Sequence, residues 1–499
     1  MKYFVSDKNM FAIVNFFKEK NILVSLNDPA FKIAQFKNWN VERISYTSPI
    51  VLNQRLKEKE KEKEKKEGKN EKEEENNQVQ NSPPLKSSTL ITYTRKNRYK
   101  TDKEEKSFYE LPEHSFSDEN LYFWDGTHHI ELNLNLRLKN IEVFGGHPVC
   151  EILENDRLLT KQVFQKLNIP TPPFEVAFSI DEAIQILKKS PFEKAVLKIS
   201  TVSSSSPIAT SIAPPQELAS LLEENKALFE KAKNFIIEKF IEGKEISCER
   251  YTWKKQIGFF NFTIEAKKFL AGNLGVNTGC QFNLVFPDSL IDKIASLTKN
   301  KKEFQKVLYH IKEQLEKTKD IEAEILDINF IIDKDFNIYA LEFTPRIGYL
   351  GTLSYAKILK DENFYWDYIP DYLEASFVPK LNLIAFGILL TLPPYPYTEI
   401  VKDPQLSPKD LYIEIQSFEE TREDINIEIA PEGIEYDEDD KCFYSNSDYL
   451  ASVHSTTTID NISKLFSSTY SFIKDNIHAP NLQYRSDAEN FFVEYFKSF

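Results

Sequence analysis

Glu342, Thr344 and Arg346 stand close together in the segment Leu341-Glu342-Phe343-Thr344-Pro345-Arg346, at the end of the apolar run Asn337-Ile338-Tyr339-Ala340. A carboxylate, a polar residue and an arginine at one strand end would suit a divalent metal with bound phosphates. Magnesium takes hard oxygen ligands, usually one or two carboxylates with the phosphates supplying the rest. A guanidinium forks onto phosphate or carboxylate oxygens. A hairpin whose Glu and Arg are plain surface charges would carry the same residues, so this segment alone leaves both readings open.

Several elements must position these residues. A second apolar run, 325–332, precedes the first, with Asp333-Lys334-Asp335 between them as turn residues. Alternation and β-branched content predict a hairpin of two strands, which puts Asn329 on the strand beside Glu342. Upstream, 151–167 reads as one helix containing Asn155, Arg157 and Lys161, stopped by Asn168-Ile169-Pro170-Thr171-Pro172-Pro173. A strand over 174–178 leads to Ser179-Ile180-Asp181-Glu182, a capping box that opens a helix through Lys189. Ala195-Val196-Leu197-Lys198-Ile199 is a short apolar strand with one lysine inside it. Burying a lysine is costly unless it is paired or faces a ligand, so Lys198 is a candidate phosphate contact. A polar loop over 200–206, a helix over 215–233 and an apolar strand that runs into an acidic segment with a single glycine, 235–247, complete the middle.

Composition excludes several classes. The chain has 499 residues, enough for two to four domains, and 41% of them are hydrophobic, enough to build sizeable cores. A formal net charge of -14 argues against a protein that coats nucleic acid. Cys150, Cys248, Cys280 and Cys442 are far apart, with no C-x-x-C pair, and read as thiols of a reducing compartment. No signal peptide is visible at the N-terminus and no window reaches the length of a membrane span, so a cytoplasmic location is expected.

Residues 57–75 alternate Lys and Glu, and 76–88 continue polar. Such a run cannot bury apolar area, and it reads as an inserted surface segment. It interrupts a β-α-β start: strands near 3–5 and 22–26 around a helix over 10–20. No G-x-G-x-x-G turn follows the first strand, so this region shows no dinucleotide site. His128 and His129 are adjacent and would point to opposite faces of a strand, which makes a shared metal ion a poor reading.

The order of parts resembles the ATP-grasp superfamily, in which two α+β lobes hold ATP between them. The matching parts are the helix with Lys161, Ile169-Pro170-Thr171-Pro172, the strand lysine Lys198, IIEKFIEGKEIS at 236–247 and the final INFII…YALEFTPR. VFGGHPVCEILENDRLLTKQVFQKLNIPTP at 143–172, Asn277-Thr278-Gly279 and LQYRSD at 482–487 resemble the phosphoribosylamine–glycine ligase family more narrowly, over roughly residues 140–490. The resemblance implies a mixed α+β and α/β fold. An N-terminal Rossmann-like domain would span 1–150, with the Lys/Glu insertion at 56–88. A two-lobed ATP-grasp domain would span 151–365, and a small β-rich C-terminal domain with terminal helices 366–499.

It also implies roles. Lys161 and Lys198 match two lysines that touch ATP phosphates. Glu238, Lys239, Phe240 and Ile241 match the inter-lobe hinge, whose backbone and acid read the adenine edge. Glu245 matches an acid near the ribose hydroxyls, and Lys267 with Lys268 a basic pair near the phosphates. Glu342 matches a metal-bridging glutamate, and Asn329 a position where other superfamily members place a second ligand. Thr344 stands where the family has a metal-binding asparagine, and Arg346 matches an arginine that braces the transferred phosphoryl group.

The chain also departs from the pattern. The glycine-rich lid after the strand lysine is here Thr201-Val202-Ser203-Ser204-Ser205-Ser206, which gives up glycine's freedom at positive φ. Gly348-Tyr349-Leu350-Gly351 replaces the Asp-Pro-Glu that helps hold the sugar-phosphate amine, and the N-terminal glycine-rich turn with its Arg-Glu-His is missing. The losses fall on the acceptor side. The expected activity is an ATP- and Mg²⁺-dependent (or Mn²⁺-dependent) carboxylate–amine ligase working through an acyl phosphate, with glycine and phosphoribosylamine as default substrates. No nucleic-acid or membrane partner is expected, and the chain would be a monomer or homodimer. The alternative is a catalytically weak ATP-binding module with a structural or regulatory role, which Thr344 and the serine lid favour.

Overall fold

The computed structural model describes residues 2–5, 21–25, 41–44, 121–124, 130–200, 210–229, 232–346, 348–362, 381–398, 401, 407–437 and 439–499. The Lys/Glu insertion, the expected helix over 10–20, the serines of 203–206 and His128-His129 lie outside them.

Among the described residues the strands form four sheets. The first is parallel and takes the order β3-β2-β1-β4-β5, from β1 (Lys2–Val5), β2 (Asn21–Ser25), β3 (Val41–Ile44), β4 (Leu121–Trp124) and β5 (Glu142–Phe144). The second is antiparallel, from β6 (Phe174–Ala177), β7 (Ala195–Ile199), β8 (Thr210–Ala213) and β9 (Phe235–Lys239), in the order β6-β9-β7-β8.

The third has nine strands. They are β10 (Gly243–Trp253), β11 (Gln256–Leu270), β12 (Leu274–Pro287), β13 (Ile325–Asp333), β14 (Ile338–Thr344), β15 (Leu383–Thr391), β17 (Glu419–Arg422), β18 (Ile425–Pro431) and β21 (Tyr449–Thr458), in the order β14-β13-β10-β11-β12-β15-β21-β18-β17. The fourth joins β16 (Tyr412–Ile415), β19 (Ile434–Asp437), β20 (Cys442–Ser445) and β22 (Ile477–His478). The nine-stranded sheet crosses the domain boundary expected at 365/366, because β12 pairs with β15 through Phe282↔Ile388 to Val285↔Ala385. A sequence read strand by strand cannot see that long-range pairing.

The helix expected over 151–167 is two helices, α1 (Pro148–Asn155) and α2 (Arg157–Lys166). Asp156 separates them with φ -95° and ψ 89°, and its Oδ1 accepts from Leu159 N at 2.9 Å as the N-cap of α2. The capping box at Ser179 opens α3 (Ile180–Lys189): Ser179 Oγ accepts from Glu182 N, and Glu182 Oε2 accepts from Phe178 N at 2.8 Å. The helix expected over 215–233 is interrupted at Asn225: α4 (Pro215–Glu224) is followed by a single helical turn, Lys226–Phe229.

α3 and α4 cover one face of the second sheet. Ala183, Leu187, Leu218 and Leu222 meet Ala195, Leu197, Ile199, Phe235 and Ile237 in one apolar cluster. Because strand residues alternate faces, Lys198 and Glu238 fall on the other face, toward β14. A further helix, α5 (Tyr349–Asp361), packs over the nine-stranded sheet against β12, β15 and β21.

Candidate functional site

The hairpin predicted from the sequence is β13–β14, and Asn329 is the cross-strand partner of Glu342. One register shift changes what this hairpin presents. Asn329 pairs with Glu342 but Phe330 pairs with Ala340, so Leu341 is an extra, bulged residue. Its carbonyl turns toward the second sheet and accepts from Lys161 Nζ and from Lys198 Nζ, each at 3.2 Å. Nothing in the apolar pattern of this strand marks a bulge.

Lys161 reaches this point because the segment after α2 docks along β14. Ala340 N donates to Pro170 O at 2.7 Å, Thr171 Oγ1 donates to Ala340 O at 2.9 Å, and Lys161 Nζ donates to Thr171 Oγ1 at 2.7 Å. Glu238 Oε1 lies 3.0 Å from Lys161 Nζ and 3.2 Å from Lys198 Nζ, at ion-pair distance though outside hydrogen-bond angles. All three side chains are buried. Burial and the neighbouring Lys198 pull the Lys161 ammonium down to about 8, against the opposing pull of Glu238.

Two lysines sharing one carboxylate leave a surplus of positive charge here. The Glu238 carboxylate faces these lysines, and the rest of the hinge expected from the sequence is Lys239, Phe240 and Ile241. Lys239 is exposed, Phe240 and Ile241 are half-buried, and the Lys194 ammonium sits 5.6 Å from the Phe240 ring centroid. Gly243 then starts β10 so close to Ile332 that an added Cβ would overlap the Ile332 carbonyl.

Glu342 is held by Arg157, an ion pair between α2 and β14. Burial alone would raise the Glu342 carboxyl, but Arg157, Lys198 and Lys267 outweigh it and bring it to about 2. Arg346 Nε donates to Glu154 Oε1 at 2.9 Å and Oε2 at 3.2 Å. Lys267 Nζ lies 2.8 Å from Glu245 and 3.9 Å from Glu265. Burial opposes its charge, yet Glu245 and Glu265 hold the ammonium well above its usual range.

The structure thus gathers Lys161, Lys198, Glu238 and Glu342 with Arg157 around the β14 bulge. Glu245 and Lys267 form a pair to one side, and Arg346 is tied to the end of α1. Arg157, Glu154 and the Leu341 carbonyl carried no expected role. Arg157 could have been found, since it stands one helical turn before Lys161, at the i, i+4 spacing that shares a face.

The donor set around Glu342 decides how a magnesium ion would fit. Asn329 Nδ2 donates to Thr344 Oγ1 at 3.0 Å, so these two side chains engage each other. Among the described residues no group of three or more His, Cys, Asp or Glu side chains is placed to hold a metal. The arrangement fits one ion brought in on phosphates, with Glu342 as its single carboxylate and Asn329 and Thr344 as neutral oxygens, and does not fit an all-protein cage. Asp327, opposite Thr344 in register, has one buried oxygen without a hydrogen-bond partner among the described residues. Burial, then Glu249 and Glu265, hold it well above the usual carboxylate range.

Beneath α5 lies a different polar layer. Thr352 Oγ1 is 3.5 Å from Glu249 Oε1, and Tyr251 donates to Glu249 Oε2 at 2.6 Å. Burial raises the Glu249 carboxyl to about 7. Ser354 Oγ donates to Asn283 Oδ1 at 3.0 Å and lies 3.0 Å from His454 Nδ1. Burial takes the His454 imidazole down to about 3, so it is neutral. Ser354, Asn283 and His454 are fully buried, and a Cβ on Gly387 would collide with Ser354 Oγ. Gly348, at the start of the segment that replaces the expected Asp-Pro-Glu, is the residue before α5.

A family model described as phosphoribosylglycinamide synthetase, ATP-grasp (A) domain, matches residues 155–352. The chain is 24% identical over 147 residues to the human trifunctional purine biosynthetic protein adenosine-3, which covers 29% of this chain and 15% of that one. It is 23% identical over 225 residues to the phosphoribosylamine–glycine ligase of Fusobacterium nucleatum, 45% of this chain and 51% of that one. The matches therefore span about half of these relatives or less. The solved phosphoribosylamine–glycine ligase of Thermotoga maritima superposes with a TM-score of 0.59 over 97% of this chain and 99% of that one, at 15% identity. At that identity the likeness establishes the fold. No helix among the described residues is long and apolar enough to cross a membrane.

Proposed function

We propose that this chain, similar to the phosphoribosylglycinamide synthetases, is a diverged ATP-grasp protein and an ATP-dependent ligase that joins a carboxylate to an amine. The observation that carries the reading is the convergence of Lys161, on α2, and Lys198, on β7, on Glu238 and on the bulged Leu341 carbonyl. Triphosphate oxygens entering there would meet two ammonium groups already oriented by buried partners, and preorganised charge is what phosphoryl transfer needs.

In this reading a carboxylate oxygen attacks the γ-phosphorus, ADP leaves, and an acyl phosphate forms. An amine then attacks the acyl carbon, inorganic phosphate leaves, and the amine's proton passes to solvent. Lys161 and Lys198 hold the phosphates, and Arg346, freed from Glu154, braces the transferred group. Glu245 and the 239–241 hinge hold the nucleoside, with Lys267 near the phosphates. A magnesium or manganese ion on Glu342, with Asn329 and Thr344 as neutral ligands, would supply further neutralisation of the phosphates. Glycine and phosphoribosylamine are the first substrates to try, because the similar proteins carry that name.

The test is ADP release from ATP against a panel of amino acids, with and without phosphoribosylamine, for wild type and Glu342→Gln. The expected result is amine-dependent ADP release in the wild type, and its loss in a variant with an unchanged melting curve. Wild-type ADP release in Glu342→Gln would overturn the assignment of Glu342. The mutual hydrogen bond of Asn329 and Thr344 favours the second reading, a binding module without turnover. ATP binding with no ADP release from any substrate would establish that reading.

A further inference from the structure

Glu342 has a resident cation. Arg157 bonds it directly, and the helix that carries Arg157 is fixed to β14 by Lys161 and by the Phe164–Phe343 ring contact at 4.6 Å between centroids. The other cations nearby are committed elsewhere. Lys161 and Lys198 share Glu238, Lys267 is paired with Glu245, and Arg346 with Glu154. Arg157 and Glu342 are also the accessible pair, with side chains 18% and 32% exposed, whereas those of Lys161 and Glu238 are 1% exposed.

A guanidinium has five donors in a rigid fork, so it can keep Glu342 on one edge and offer the others to phosphate oxygens. Bridging a carboxylate to phosphates is the electrostatic task of a divalent ion in such a cleft. An ion arriving at Glu342 would face Arg157, Lys198 and Lys267, all of which bear on that carboxylate.

We propose that Arg157 is a built-in counter-ion that stands in for one divalent ion, so that the cleft binds a nucleoside triphosphate with little dependence on metal. The inference rests on the nucleotide-binding reading above and concerns binding, not turnover. It predicts that removing metal weakens ATP binding only slightly in the wild type, and that Arg157→Gln makes binding metal-dependent.

The experiment is calorimetric titration of the full chain with ATP, in excess Mg²⁺ and in EDTA, for wild type, Arg157→Gln and Arg157→Lys. The expected wild-type Kd loosens by less than about tenfold in EDTA, which is less than about 1.4 kcal/mol. Arg157→Gln should lose at least tenfold more than wild type in EDTA, with Arg157→Lys between them. Loosening of tenfold or more in the wild type, or an equal ratio in wild type and Arg157→Gln, would overturn the proposal. If Arg157→Gln fails to fold, the wild-type ratio decides alone. No ATP binding in either buffer would overturn the nucleotide reading and the inference together, whereas tight but metal-dependent binding would overturn the inference alone.

Discussion

The two polar regions of this molecule are built on opposite principles. Around the β14 bulge, full charges meet in pairs that a ligand could reopen: Arg157 with Glu342, Arg346 with Glu154, Lys267 with Glu245, and two lysines on one Glu238. Beneath α5, hydroxyls, an amide oxygen and a neutral imidazole bond one another in full burial, as in the Asn283–Ser354–His454 chain. In the proposed reading each cation of the first region trades its carboxylate for a phosphate. The second spends its hydrogen bonds on the fold. Of the departures from the resembled pattern, Gly348-Tyr349-Leu350-Gly351 stands at the start of α5, beside the sealed region, and Thr344 stands in the first region, whose cations remain.

This contrast can be broken by mutation. The largest effect is expected from Glu238→Ala, which leaves Lys161 and Lys198 buried without their common counter-charge. Uncompensated buried charge costs about 3–5 kcal/mol, read as a lower denaturant midpoint, and a loss below about 1 kcal/mol would show that the pair is dispensable. Lys198→Met should cost little stability, because Glu238 keeps Lys161, but it should weaken ATP binding by about 10–100-fold, equivalent to one charge-assisted contact of about 1.5–3 kcal/mol. Unchanged ATP affinity in Lys198→Met would remove this lysine from the site.

A pH measurement probes the border between the regions. Burial lifts the Glu249 carboxyl from an ordinary 4.5 to about 7. The folded chain therefore holds a proton there that the unfolded chain has released. Stability should fall as pH rises from about 4.5 to 7 and stay level above, by about 1–3 kcal/mol in all. Glu249→Gln should flatten that slope, and an unchanged slope in the variant would assign it to other groups.

Ser354→Ala removes a partner of Asn283 and of His454. It should cost about 1–2 kcal/mol in stability and leave ATP affinity within about twofold, and a large loss of affinity would mean that the layer beneath α5 belongs to the site. Smallest of all, a short Gly/Ser linker in place of 57–88 should move the melting temperature by less than about 2 °C. A larger drop would show that the Lys/Glu run supports the fold.

The sequence made the β13–β14 hairpin legible, with Asn329 beside Glu342, because strand alternation and turn residues are local signals. The same holds for the capping box at Ser179 and the lysine inside β7. Local signals could not give the Leu341 bulge, which depends on how two strands slip past each other. Nor could they give the Arg157–Glu342 pair, whose members are separated by 185 positions. The break at Asp156 was also hidden, because the residues on both sides favour helix and only the cap geometry interrupts it. The joining of β12 to β15 depends on partners about a hundred residues apart, so the continuous nine-stranded sheet could not be read from periodicity.

The most direct test of the central claim is the melting temperature of the full chain against rising Mg-ATP, with calorimetry alongside. A ligand that binds only the folded state stabilises it by RT ln(1 + [L]/Kd), so the proposed binding of ATP at Lys198 and Glu342 predicts a melting temperature that climbs with the logarithm of ATP concentration, with the climb blunted in Lys198→Met. No shift at about millimolar Mg-ATP, together with no heat of binding, would contradict the account.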